Sequence, residues 1–115
     1  MLEGLFGSAS KERVLAFIYA RQEGYPREIA KFWNCSLLPI QKQLDKLERD
    51  GILFRKMYGR TVVYKFNPRY FLKNELEAIL KKTVSLYSPE LKEGLLCDRK
   101  RPRVKGKPAV LVKTL

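Results

Sequence analysis

The sequence predicts a mainly helical α+β fold carrying one small β-hairpin, on three observations. Apolar residues recur at helical spacing through most of the chain up to residue 96. Between Gly51 and Asn67-Pro68 the period drops to two, and Gly, Pro, Asn and Ser mark the joins between segments. Residues 98–115, by contrast, interleave basic groups with prolines and a glycine and carry no core pattern.

Ser8 and Ser10 stand ahead of Lys11-Glu12-Arg13, after which Val14, Leu15, Phe17 and Ile18 set an apolar face at helical spacing. A serine there caps a helix by accepting from the backbone of the first turn, so the first helix is expected over about residues 10–22, stopped by Glu23-Gly24. Tyr25-Pro26 restarts the chain, since proline suits a first helical turn, and a second helix over 26–33 puts Ile29, Ala30 and Trp33 on one face. Asn34-Cys35-Ser36 is a tight connection in which Ser36 caps a third helix over 37–50, with Pro39 in its first turn. Ile40, Leu44 and Leu47 make its buried stripe; Gln41, Lys42, Asp45, Lys46 and Arg49 point outward; Gly51 closes it in the left-handed conformation. Residues 52–58 and 61–66 form the hairpin around Gly59-Arg60, with Val62, Tyr64 and Phe66 on one face and Val63 and Lys65 on the other. Beyond Asn67-Pro68, Leu72, Leu76, Ile79, Leu80, Thr83 and Tyr87 recur in one long helix over 71–87, and Ser88-Pro89-Glu90 opens a short last helix over 89–96.

At 115 residues and 45% apolar content the chain supports a single modest core. Its 24 basic and 12 acidic residues leave a net charge of +12, a field that points to a polyanionic partner. The charge is uneven: +7 over residues 11–70, zero over 71–97 and +6 over 98–115. The neutral stretch is the candidate for protein contact and the basic ones for phosphate. The longest apolar run, seven residues from Val14 to Ala20, falls far short of the roughly 20 that cross a membrane, and residues 1–6 lack the basic start of a secretory signal. A cytoplasmic protein without membrane association is expected. With no histidine, and with Cys35 and Cys97 far apart, neither a zinc site nor histidine acid–base chemistry is expected; Cys35 reads as a buried apolar filler and Cys97 as a free thiol. No Gly-rich phosphate loop, paired-carboxylate constellation or Gly-x-Ser-x-Gly elbow occurs, so the chain is not read as an enzyme and no metal or cofactor is assigned.

Three short helices with a tight turn between the second and third, then a basic hairpin, is the order of a winged helix-turn-helix. In that arrangement the third helix lies in the DNA major groove, where outward polar groups reach base edges, and the hairpin grips phosphates. The stretches LFGSASKERVLAFI, YPREIAKFWNCSLLPIQKQLDKLERDGIL and YGRTVVYKFNP resemble the ArsR-like winged-helix regulators, mostly prokaryotic dimeric repressors. The resemblance covers roughly residues 5–70 and is most specific where Leu44, Leu47, Gly51, Gly59, Arg60, Tyr64 and Asn67-Pro68 stand. It implies a homodimer that binds double-stranded DNA and regulates transcription, most often as a repressor. The metal-thiolate motif that many of these repressors carry in the reading helix is absent from LLPIQKQLDKLERD, so metal sensing is not implied.

Ser36, Leu38, Gln41, Lys42 and Lys46 are accordingly assigned to the groove, with Gln41 and Lys42 reading bases, and Arg55, Lys56, Tyr58 and Arg60 to the wing's DNA contacts. Plainer roles stand beside these. The outward groups of the third helix form a solvated face, the hairpin cations protect a strand edge, Tyr58 packs, and Leu37 and Leu38 meet either thymine methyls or a protein. Leu72, Leu76, Ile79, Leu80 and Tyr87 are assigned to the dimer interface, because so small a domain cannot bury that stripe and still leave the reading helix free. The chain divides into a DNA-binding domain over 1–70, a helical dimerisation extension over 71–97 and a basic tail over 98–115. The tail has three readings: nonspecific phosphate binding, minor-groove insertion through Gly106-Lys107-Pro108, which faintly resembles an AT-hook core with lysine for arginine, or docking on a partner chain. The alternative function is a winged-helix module that contacts protein or RNA without sequence-specific DNA recognition.

Overall fold

The computed structural model describes residues 3–96, which run α1 (Glu3–Phe6), α2 (Ala9–Arg21), α3 (Pro26–Trp33), α4 (Leu37–Arg49), β1 (Leu53–Tyr58), β2 (Thr61–Phe66), α5 (Lys73–Ser85) and α6 (Pro89–Leu96). The architecture is mainly helical with a two-stranded antiparallel sheet, compatible with a winged helix. No described helix is long and apolar enough to cross a membrane. Cys97 and the basic tail lie outside the described residues.

Helix α2 is the axis of the molecule. Val14, Leu15, Ala16, Phe17 and Ile18 are all buried, and α2 packs against α1, α3, α4, α5, α6 and β2. The sequence reading gave this helix one apolar face; an apolar run that continues all round is what a helix enclosed on every side needs. Ser8 caps it, its side chain accepting from the Lys11 amide at 3.0 Å. The stop comes at Gln22, left-handed at φ 73°, rather than at Glu23-Gly24. α1, which the sequence reading did not find, is a single turn ended by Gly7 at φ 88°.

Gly24 has another role. Its backbone pairs with Tyr64 of β2, Gly24 N–H donating to Tyr64 O at 3.1 Å and Tyr64 N–H to Gly24 O at 2.8 Å, so a fragment of a third strand extends the sheet. The approach is close: a Cβ at Gly24 would sit 3.0 Å from the Phe17 ring and 3.2 Å from Ile29 Cδ1.

α3 and α6 occupy the expected spans. Asn34, left-handed at φ 54°, turns the chain into α4. Ser36 sits extended at the cap position of α4, but its side chain makes no capping hydrogen bond, which corrects the role expected of it. Gly51 at φ 80° closes α4 as expected, and Gly59 at φ 63° supplies the positive φ of the two-residue hairpin turn. Asn67 fastens the foot of the hairpin, its Nδ2 donating to Gly51 O at 2.9 Å and its Oδ1 accepting from the Arg69 amide at 2.9 Å.

α5 is shorter than the sequence predicts, because Phe71 and Leu72 precede it in a turn and Leu86 and Tyr87 follow it. Leu80, Val84 and Leu95 join the core built on α2. Arg21 at the end of α2 locks α6 in place: its guanidinium donates to Leu95 O at 3.1 Å and Gly94 O at 2.9 Å and stacks over Phe17 and Phe32. A cation on the last carbonyls of a helix satisfies acceptors that lack an intrahelical partner and suits the helix dipole. Cys35 is half-buried against the core rather than enclosed.

Gly24→Ala is therefore expected to lower the thermal midpoint, by about 1–3 kcal/mol of overpacking. Phe17 cannot readily yield, being fully buried and fixed edge-on against Phe32. Thermal and urea unfolding of the variant check this, and an unchanged midpoint would show that the ring does give way.

Candidate nucleic-acid interface

Helix α4 is anchored by Ile40, Leu44 and Leu47, all buried, which leaves its opposite side in solvent. Leu38, Lys42, Lys46 and Arg49 fall at spacings of four, four and three, so they form one outward stripe. All are exposed, Leu38 at 63%. The three cations make no ion pair among the described residues. Arg49 belongs to this stripe although it is not among the groove residues assigned from sequence; its spacing from Lys42 and Lys46 is the signal that points to it. Ser36 lies exposed at the N-terminal edge of the same helix.

Gln41 behaves differently. It is half-buried, its Nε2 donating to Asp45 Oδ1 at 3.0 Å and to the Tyr64 hydroxyl at 3.4 Å, and that hydroxyl lies 3.5 Å from Asp45 Oδ1. The side chain thus bridges α4 to the root of the hairpin instead of projecting freely.

The strand register explains how the wing is divided. Arg55 pairs with Tyr64 and Met57 with Val62, while Lys56 pairs with Val63 and Tyr58 with Thr61. Alternate residues face opposite sides, so Arg55 shares the α4 side with Tyr64, and Lys56 and Tyr58 share the other. Arg55 Nε lies 3.4 Å from Glu48 Oε2 on α4. Lys56 Nζ sits 5.5 Å from the Tyr58 ring centroid, and Arg60 is exposed in the turn. The four wing residues assigned from sequence therefore do not form one surface, and Arg55 already has a carboxylate. An exposed pair of this kind contributes at most about 1 kcal/mol, so a phosphate can displace Glu48 from it.

The residues assigned to a dimer interface separate as well. Leu80 is 0% exposed, inside the chain's own core, and cannot meet a partner. Tyr87 is half-buried, its hydroxyl donating to the buried Glu12 and its ring edge-on to Trp33. Leu76 packs on the core. Leu72 and Ile79 are exposed, and so is Leu86, seven residues beyond Ile79, which the sequence pattern does not single out. The helical spacing holds, but the stripe spans both the inner and the outer side of α5 rather than a single face.

No protein-family model, curated protein or solved structure matches the chain.

Burial raises the Tyr64 phenol above its usual 10.0, with Asp45 adding to the effect and hydrogen bonds with Gln41 and Arg55 opposing it. The folded state thus favours the protonated phenol, and its contribution to stability is complete below about pH 10 and lost as pH rises through the folded value. Tyr64→Phe should cost about 1 kcal/mol at neutral pH and flatten the alkaline decline of stability, measured by urea unfolding between about pH 8 and 11. Parallel alkaline slopes for the two proteins would contradict this.

Proposed function

We propose that the chain is a homodimeric winged helix-turn-helix regulator of transcription that binds double-stranded DNA in a sequence-specific way. The observation that carries this reading is the unpaired stripe of Lys42, Lys46 and Arg49, with Leu38 at its head, on the exposed side of a helix whose other side is anchored in the core. A helix fits the major groove, and cations there meet the O6 and N7 acceptors of guanine while an apolar side chain meets a thymine methyl. Lys56 and Arg60 on the wing are placed in this reading on flanking phosphates, where they fix register without carrying sequence information. The net charge of +12 supports association with a polyanion. Leu72, Ile79 and Leu86 supply the apolar contact of a two-fold dimer, Leu80 and Tyr87 being withdrawn from it. The basic tail adds affinity through phosphates in this reading.

Duplex selection from random DNA tests the proposal: an enriched palindrome supports it, and retained RNA affinity without enrichment favours the interaction-module alternative instead. Lys42→Ala should relax specificity at one or two base pairs, with a loss of about 1–3 kcal/mol at those positions. Arg60→Ala should weaken all sequences alike and flatten the slope of log affinity against log salt by about one unit. Equal loss on every sequence for both variants would remove the division between reading helix and wing.

Sedimentation tests the assembly. Ile79→Glu should give a folded monomer with an unchanged circular-dichroism spectrum, whereas Leu80→Glu should disrupt folding, since it places a charge in the core. A wild type already monomeric at micromolar concentration would refute the dimer.

A further inference from the structure

The polar bridge beneath α4 restricts what Gln41 offers to a base. A glutamine amide has two N–H donors and one carbonyl acceptor, and its usual pairing with adenine uses one of each, the nitrogen on N7 and the oxygen on N6. Here Nε2 faces Asp45 Oδ1 at 3.0 Å and the Tyr64 hydroxyl at 3.4 Å, so both donors have acceptors within the protein. Asp45 favours this orientation, because a carboxylate is an acceptor only and the carbonyl oxygen of Gln41 gains nothing by facing it. Tyr64 is 1% exposed and its backbone is paired with Gly24 and with β1, so the hydroxyl that completes the bridge is fixed by the fold.

We infer that Gln41 is a specificity-determining residue that acts through its Oε1 alone, as a hydrogen-bond acceptor, and that it selects a base bearing an exocyclic amine, cytosine ahead of adenine. Cytosine presents a lone N4 donor in the major groove, which a single acceptor satisfies; adenine presents N6 beside N7, and with Nε2 occupied N7 goes unpaired. Asp45 and Tyr64 are then positioning residues, which act by holding the amide. The inference rests on α4 being the reading helix.

The experiment is site selection on random duplexes with wild type, Gln41→Ala, Asp45→Ala and Tyr64→Phe, each confirmed as folded by circular dichroism. Gln41→Ala identifies the position by the one base preference it erases. At that position the wild type is expected to select cytosine, on the order of tenfold over guanine or thymine. Asp45→Ala frees the amide to turn, and preference there should move toward adenine or relax, with every other position unchanged. Tyr64→Phe, which keeps the ring and leaves the Asp45 contact, should produce a smaller change in the same direction. Guanine or thymine at the Gln41 position, or a preference there that Asp45→Ala leaves unaltered, overturns the inference while leaving DNA recognition intact. Enrichment of no sequence by the wild type overturns both.

Discussion

The contact on which the arrangement depends is the one between Tyr64 and Gly24. A two-stranded hairpin is at best marginally stable alone, and this one becomes part of the fold because β2 is held from three directions. Its backbone at Tyr64 is paired with Gly24 in the link between α2 and α3, its ring is buried against the core, and its hydroxyl reaches Gln41 and Asp45 on α4. The pairing in turn requires Gly24 to lie against the Phe17 ring, where no side chain fits without displacing it. The most buried part of α2 thereby sets where the strand runs, and the strand sets the angle between wing and α4. Orientation of the outward surface is a consequence of core packing rather than of contacts at the surface itself.

Two sets of basic residues have different physical roles. Arg21, Arg55, Lys65 and Lys73 each face a carboxylate, and Arg21 also serves as a helix cap and aromatic partner. Lys42, Lys46 and Arg49 on α4 and Arg60 at the wing tip have no such partner among the described residues. Holding unpaired like charges within a few residues of one another on α4 opposes folding slightly through repulsion. A polyanion would relieve the repulsion and release its own counterions in the same step, so the cluster on α4 supports the proposed nucleic-acid partner more specifically than the total charge does.

The helices, the hairpin and its turn were legible in the sequence because local chemistry determines them: Pro26 opens α3, Gly51 closes α4, and β-branched and aromatic residues alternate through 61–66. Features decided by tertiary contact were not. Gly24 reads as a helix stop, since its pairing with a residue 40 positions away leaves no local trace. Gln41 reads as a free outward group from its place on the helix, and only the position of Tyr64 shows that its amide nitrogen is engaged within the protein. Leu80 and Ile79 are neighbours in a single periodic stripe, yet one is buried and the other 40% exposed, because the angle between α5 and α2 is set by packing that periodicity does not encode. Ser36 has the residue type and backbone of a cap but lacks the hydrogen bond, so residue type alone overstated its role.

The same packing bears on how two copies would present their α4 helices to DNA. Leu80, Val84 and Leu95 share the core with α2, and Arg21 ties the last carbonyls of α6 to the aromatic pair Phe17 and Phe32. α5 and α6 are therefore not a flexible appendage: any displacement of them must open the core that also seats α4. In the proposed two-fold dimer through Leu72, Ile79 and Leu86, the separation of the two α4 helices would accordingly be set by the protomer's packing together with that seam. A rigid separation matches only those DNA half-sites whose spacing brings two major-groove faces to the same side of the duplex, about one helical turn apart or a multiple of it. Specificity would then arise twice, from the residues on α4 and from the spacing that the buried face of α5 imposes.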